Sequence, residues 1–386
     1  MARQDKTMKV SGNRLLALAF VFLLGLFCLT NANVLFDVVS AGGDIPAVID
    51  EAEKAYNEDF FMKHSFINAN GFIHTLLGQR KMNGVVKLNN GYLATTHKKV
   101  NVAPYAKILI ALNQDLEKKG IPLLYVQAPF KISKYDDQLP EGIKDYSNSN
   151  ADRLLKLLNK GGVDTLDLRA EMRSDGLDHY SMFFRTDHHW TVEASFWGFT
   201  KTIGVMNTKY GFDVDEKYTD IKNYSIKTYK DWFLGSWGRK TGTTFGGVDD
   251  ISLITPRFPT SLSLAIPSKN IVREGSFSDA VYVMQRIEPK DYFAHACFEV
   301  YLGGQYPLIT IKNRLAENDK RVLLVVDSFA RPVGSFMSDC FKEVDIIDPR
   351  KSTTNALRKY IEETDPDMVL FFYNPDSLSD KLFNFE

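Results

Sequence analysis

Cysteine is scarce in this chain, with three in 386 residues, and their positions match neither a metal-ligand spacing nor a disulfide framework. Cys28 falls in an apolar N-terminal run, so Cys297 and Cys340 are the only two that could meet outside a membrane, and they read as small buried thiols. An excess of charge of one sign is also missing. Lys plus Arg number 47 against 48 for Asp plus Glu, a formal net charge of -1, and no long basic run follows the N-terminus. That leaves no electrostatic footprint for DNA or RNA and excludes a nucleic-acid partner. Internal repeats and low-complexity tracts are absent. Hydrophobic content of 44% and charged content of 25% exclude wholesale disorder. What remains is chain enough for one main domain with a sizeable insertion.

The N-terminus carries Arg3, Lys6, Lys9 and Arg14 ahead of an apolar run over 15–29, the order of a charged region and a hydrophobic region in an export signal. Thr30 and Ala32 are small enough for cleavage sites, but apolar character continues over 33–39. A retained anchor over 15 to about 36 is therefore expected, since that length spans a bilayer core of ~30 Å. Basic residues keep the preceding side cytoplasmic. The rest of the chain then faces outward, as a single-pass membrane protein or, if cleaved, a secreted one, with no cytosolic cofactor pool and no cofactor expected.

Three regions follow: residues 1–40 as tail and anchor, 41–100 as a helix and hairpin region, and 101–386 as the main domain with a β-rich insertion over about 206–320. A charged helix is predicted over 47–63, and Asn89-Asn90-Gly91 predicts a hairpin. An amphipathic helix over 104–119, with Ile108, Leu109, Leu112 and Leu116 at helical spacing, ends at Gly120. Strands over 123–126 and 163–168 flank a helix over 151–159; strands over 321–326, 344–347 and 368–373 enclose one over 353–362. The alternation predicts a parallel sheet with helices on both faces. In such folds functional side chains project from the carboxyl ends of strands. Within the insertion, 280–284 reads as a β-like piece.

Two motifs carry chemistry: Thr186-Asp187-His188-His189-Trp190-Thr191 and Val325-Val326-Asp327-Ser328-Phe329. Ser328 follows an apolar strand where a helix begins, which exposes a hydroxyl beside backbone N–H groups able to stabilise an oxyanion. A serine needs an imidazole to take its proton, and the imidazole needs a carboxylate to hold its tautomer. Asp187 and His189, two apart in an extended segment, would lie on one side and supply both, with His188 pointing away as an orienting or packing residue or as a hydrogen-bond partner behind the triad. A metal site on Asp187, His188 and His189 is the rival chemistry; adjacent histidines in an extended chain splay apart, and no metal is expected.

This combination resembles the DHHW proteins, relatives of the alginate O-acetyltransferases in the SGNH hydrolase superfamily. Further matching pieces are Ala128-Pro129-Phe130-Lys131, Gly235-Ser236-Trp237-Gly238 and Pro366-Asp367-Met368-Val369. The resemblance implies a flavodoxin-like, three-layer αβα fold and an outward-facing enzyme. That enzyme would move acetyl groups onto an exported polysaccharide, beside a membrane-bound O-acyltransferase that supplies the acyl group. It assigns Ser328, His189 and Asp187 to the triad, and places Val326 where many members have Gly. Asn374, after the second strand downstream of Ser328, is by the same resemblance a candidate oxyanion donor, or else an Asn in a turn before Pro375. Arg331 and Arg185 flank the motifs and could contact an anionic sugar, with surface solvation the blander expectation. Two further functions stay open. One is a carbohydrate acetylesterase; the other is a non-catalytic polysaccharide-binding or scaffold module using Trp190, Trp197, Trp232 and Trp237, of which Trp197 is expected to be a packing residue.

Overall fold

The computed structural model describes residues 62–351 and 356–383, with a few positions between 17 and 32. The chain divides into two compact units, Met1–Ala69 and Asn70–Glu386. The first shows exposed helical positions such as Leu18, Phe22 and Leu29. Among the described residues no helix is long and apolar enough to cross a membrane; the expected anchor over 15–36 lies largely outside them, as does nearly all of the expected helix over 47–63.

The second unit opens with a small antiparallel sheet of β1 (Lys81–Met82), β2 (Val85–Lys87) and β3 (Leu93–Ala94). The Asn90–Gly91 corner between β2 and β3 is the expected hairpin turn, with Gly91 at φ +86. The main sheet is built from β4 (Leu123–Gln127), β5 (Asp164–Asp167), β8 (Leu262–Ile266), β9 (Ile271–Gly275), β10 (Leu308–Asn313), β11 (Arg321–Val326), β12 (Glu343–Ile347) and β13 (Met368–Tyr373). Its order is β5-β4-β13-β11-β12-β10-β8-β9. The five strands from β5 to β12 pair in parallel, and β10, β8 and β9 extend the sheet antiparallel. The expected parallel sheet is thus present, with an antiparallel flank from the region over 206–320. A separate ribbon pairs β6 (Tyr224–Phe233) with β7 (Asp249–Pro256).

Alternation along the central strands separates two cores, because successive side chains leave opposite faces of a strand. Leu124, Val126, Val322, Leu324, Leu370 and Phe372 join one cluster with the helices Val192–Tyr210 and Arg331–Cys340. Leu123, Tyr125, Leu323, Val325, Phe371 and Tyr373 join the other, with the helices Ala103–Glu117 and Ser147–Lys160. Every residue of β4 and β13 is buried, each large apolar side chain contributing about 1.5–3 kcal/mol. That makes the sheet centre rigid and fixes the carboxyl ends of β4, β11 and β13 side by side. Val326 belongs to the first cluster, so its side chain fills the core. Cys297 and Cys340 are both buried free thiols.

One expected β-like piece, 280–284, is helical at its start and keeps a β-bridge only at Tyr282, which pairs with Tyr301. Phe277–Val281 forms a short helix because Ser276 and Asp279 close a reciprocal capping box at its start, and that local bonding outweighs the β-propensity over 280–284.

Asp339, in the helix Arg331–Cys340, is buried with no hydrogen-bond partner for either carboxylate oxygen. Burial pushes its pKa well above the ordinary carboxylate range, so the folded chain holds a proton there that the unfolded chain releases near pH 4. The stability this group contributes is therefore complete below about pH 4 and is lost as pH rises toward the raised folded value. Asp339→Asn is expected to stabilise the fold near pH 7 and to have little effect near pH 4. Thermal melts at the two pH values check this, and an equal shift at both would contradict it.

Candidate active site

The segment around Asp187 is a closed, bent loop. Phe183 bridges to Trp190, Phe184 N–H donates to the His189 carbonyl at 3.3 Å, and residues 185–189 are bends. Its aromatic flanks are buried, and the Trp190 indole N–H donates to the Phe329 carbonyl at 3.0 Å, tying the loop to the turn that carries Ser328. From β7, Asp249 accepts Arg185 N–H at 2.5 Å, Thr186 N–H at 2.8 Å and the Thr186 hydroxyl at 2.5 Å. Lys131, just beyond β4, is fully buried and donates to the carbonyls of Phe184 and Asp187, the latter at 2.5 Å. Its ammonium also lies 5.1–5.7 Å from the ring centres of Trp237, Tyr92 and Phe183, within cation–π range. Burial drives its pKa down to about 7, against the attraction of Asp249 and Asp187.

Within this frame the three predicted triad residues meet. His189 Nδ1 lies 2.5 Å from Asp187 Oδ1, and His189 Nε2 lies 2.8 Å from Ser328 Oγ. Asp187 Oδ1 also accepts His189 N–H at 3.0 Å, and Oδ2 accepts Ser236 N–H at 2.6 Å. Phe298 stacks on the imidazole with ring centres 4.1 Å apart. Burial alone would raise Asp187, but the facing His188 and His189 and the bonds from His189 and Ser236 hold it well below the usual carboxylate range. Burial, reinforced by His188 and Arg331 and opposed by Asp187, holds His189 well below the ordinary histidine value. The resting imidazole is thus neutral and able to accept the serine proton, the state a general base needs.

Ser328 begins a short turn, Ser328–Ala330, capped by Asp327. Asp327 Oδ1 accepts Phe329 N–H at 2.9 Å and Oδ2 accepts Asn374 N–H at 2.7 Å, joining the ends of β11 and β13. That use of Phe329 N–H makes the N–H of Ser328 itself the first candidate for an oxyanion.

Several expectations change. His188 does not point away: the loop is bent, not extended, so its ring lies 3.7 Å from that of His189 and its Nδ1 is 3.0 Å from Ser236 Oγ and 3.4 Å from Asp187 Oδ1. The two histidines therefore do not splay, and Asp187, His188 and His189 offer donor atoms within 4.8 Å of one another. Both ring nitrogens of His189 are already engaged, so an ion there would break the relay. Arg331 is no surface residue: it is buried, its Nε donates to the Ser328 carbonyl at 3.3 Å and its guanidinium lies over Phe298. Asn374 is buried and caps the following turn, its side-chain oxygen accepting Asp376 N–H at 2.6 Å. Arg185 is exposed.

Trp190 and Trp237 are buried, while half-buried Trp197 and Trp232 spend their indole N–H on Asp175 and the Ile287 carbonyl. Sequence reasoning assigned no role to Lys131, Ser236, Asp249 or Phe298. Only Lys131 and Ser236 left a trace, as members of the matching pieces quoted above.

Residues 88–211 match the family model described as the SGNH hydrolase-like domain of the acetyltransferase AlgX. Over that stretch the chain is similar to the AlgX acetyltransferases. The resemblance read from the two motifs is thereby borne out. Among solved structures, Bacillus cereus PatB1 with a sulfonyl adduct is similar over 80% of this chain and 99% of its own, at 22% identity and a TM-score of 0.65. A DHHW family protein from Eubacterium siraeum covers 79% and 96%, at 18% identity and a TM-score of 0.59. At these identities the likeness is one of fold. No curated protein matches the chain in sequence.

The position of Asp187 depends on Gly235. A Cβ at Gly235 would stand 2.3 Å from the Asp187 Cβ and 2.4 Å from its Cα, and that contact cannot be relieved by a rotamer change. Gly235→Ala is expected to displace the loop, cost about 1–3 kcal/mol of stability and lower acyl-ester turnover on the order of a hundredfold, as an ångström's misplacement of catalytic groups does. Turnover within a few-fold of the parent chain would show that the close approach does not position the triad.

Proposed function

We propose that this chain is an extracytoplasmic O-acetyltransferase that acetylates an exported or cell-surface polysaccharide through a serine acyl-enzyme. The observation that carries the reading is the unbroken relay from Asp187 through His189 to Ser328 Oγ. The match to the acetyltransferase AlgX domain supports acetyl as the group moved, and the basic residues ahead of the apolar N-terminal run support the outward placement. Ser328 Oγ attacks the acyl carbonyl of a donor while its proton passes to His189 Nε2, and the Ser328 N–H faces the developing oxyanion. The leaving group takes the proton from His189. A sugar hydroxyl then repeats the sequence in reverse, giving its proton to His189 as it takes the acyl group, and Asp187 stabilises each transient imidazolium. A membrane-bound O-acyltransferase is the proposed source of the acetyl group. With water as acceptor the same groups would make an acetylesterase.

The test uses the full chain, a chromogenic acetyl ester and an oligosaccharide. Acetylated sugar is expected, whereas free acetate with unchanged sugar would favour the esterase. Ser328→Ala is expected to lower acyl-ester turnover by roughly three orders of magnitude or more and to abolish labelling by a sulfonyl fluoride. Undiminished turnover would remove Ser328 from the mechanism.

The lowered pKa of His189 sets the pH dependence, because only the neutral ring accepts the serine proton. As pH falls, kcat/KM is expected to hold steady through about 6.5, the ordinary histidine value, and to decline only below it. A decline centred at or above that value would contradict the buried, neutral base.

A further inference from the structure

Resting on the acyl-transfer reading, we propose that His188 recognises the acceptor, holding the hydroxyl next to the one that is acylated, so that the site favours sugars with vicinal hydroxyls. His188 is the accessible member of the motif: its side chain is 30% exposed, against 5% for Asp187 and 6% for His189. Its ring is held, with Nδ1 against Ser236 Oγ at 3.0 Å and Asp187 Oδ1 at 3.4 Å. With Nδ1 engaged on that side, Nε2 is the ring nitrogen left for a ligand.

The stacking supplies the register. The two imidazoles have centres 3.7 Å apart, tilted by 39°, and both turn Nδ1 toward the same carboxylate oxygen. With the ring centres this close, a hydroxyl held on His188 lies beside one at His189 Nε2, which faces Ser328 Oγ at 2.8 Å. Neighbouring hydroxyls on a sugar ring are spaced to meet two such acceptors together. The attacking hydroxyl gives its proton to His189 as its oxygen bonds to the acyl carbon; the bond from that carbon to Ser328 Oγ breaks, and Oγ takes the proton back. The second hydroxyl donates to His188 throughout and undergoes no chemistry. A further pair, His97 and Asp376 at 2.9 Å and each more than a quarter exposed, adds polar groups, with Asp376 in electrostatic reach of His188, in keeping with a hydroxyl-rich ligand.

The experiment compares acetyl transfer from a chromogenic ester to a cyclohexane vicinal diol and to cyclohexanol, using the full chain. The parent chain is expected to prefer the diol by about fivefold per hydroxyl, one hydrogen bond's worth. His188→Phe is expected to erase the preference, and His188→Gln, which keeps an acceptor, to restore part of it. Equal use of both acceptors by the parent chain, or a preference unchanged in His188→Phe, overturns the assignment of His188. Absence of all ester turnover and of Ser328 labelling in the parent chain instead overturns the acyl-transfer reading beneath it.

Discussion

The carboxylate of Asp187 is the point on which the site depends. A buried anion is tolerable only when its lone pairs are met by donors. Here one oxygen takes His189 Nδ1 and the His189 N–H, and the other takes the Ser236 N–H. Its backbone carbonyl is held in turn by the buried Lys131 ammonium. His189 lies two positions away, but Ser236 and Lys131 come from distant stretches of chain, so the charge is stable only where all of them converge. The same arrangement gives His189 its single useful orientation.

The sheet explains why convergence happens at this rim. β4, β13 and β11 are neighbours in parallel register, and their carboxyl ends deliver Lys131, Asn374 and Ser328 to one edge. Asp327 then ties two of those ends together through Phe329 N–H and Asn374 N–H. The Asp187 loop is brought to that edge by packing, through Trp190 and its bond to the Phe329 carbonyl. A rigid sheet places Ser328, and a pinned loop places His189.

Much of this was legible in the sequence because it is local. The apolar run over Arg321–Val326 ending in Asp-Ser, and the alternation of strands and helices before and after it, depend on periodicity alone. Asp187, His189 and Ser328 were legible as a candidate set because such residue types are few and their chemistry strict. What escaped depends on tertiary contact. The bent course of 185–189 is imposed by Asp249 and Lys131, neither of which adjoins it in sequence, and the extended reading therefore misplaced His188. Arg331 looked like any charged residue after a motif, yet Phe298 and the Ser328 carbonyl enclose it. The antiparallel flank of β10, β8 and β9 was hidden because a half-buried edge lacks the continuous apolar runs of the sheet centre.

The surroundings of Lys131 bear on how such a protein can change. Tyr92, Phe183, Trp237 and the carbonyls of Phe184 and Asp187 enclose one amine, although they are scattered over some 150 positions of the chain. None of these segments can be grafted from another protein alone without stranding a cation in a dry interior. Change is therefore easiest at the exposed rim and hardest behind the loop, where any viable substitution must come as a matched set.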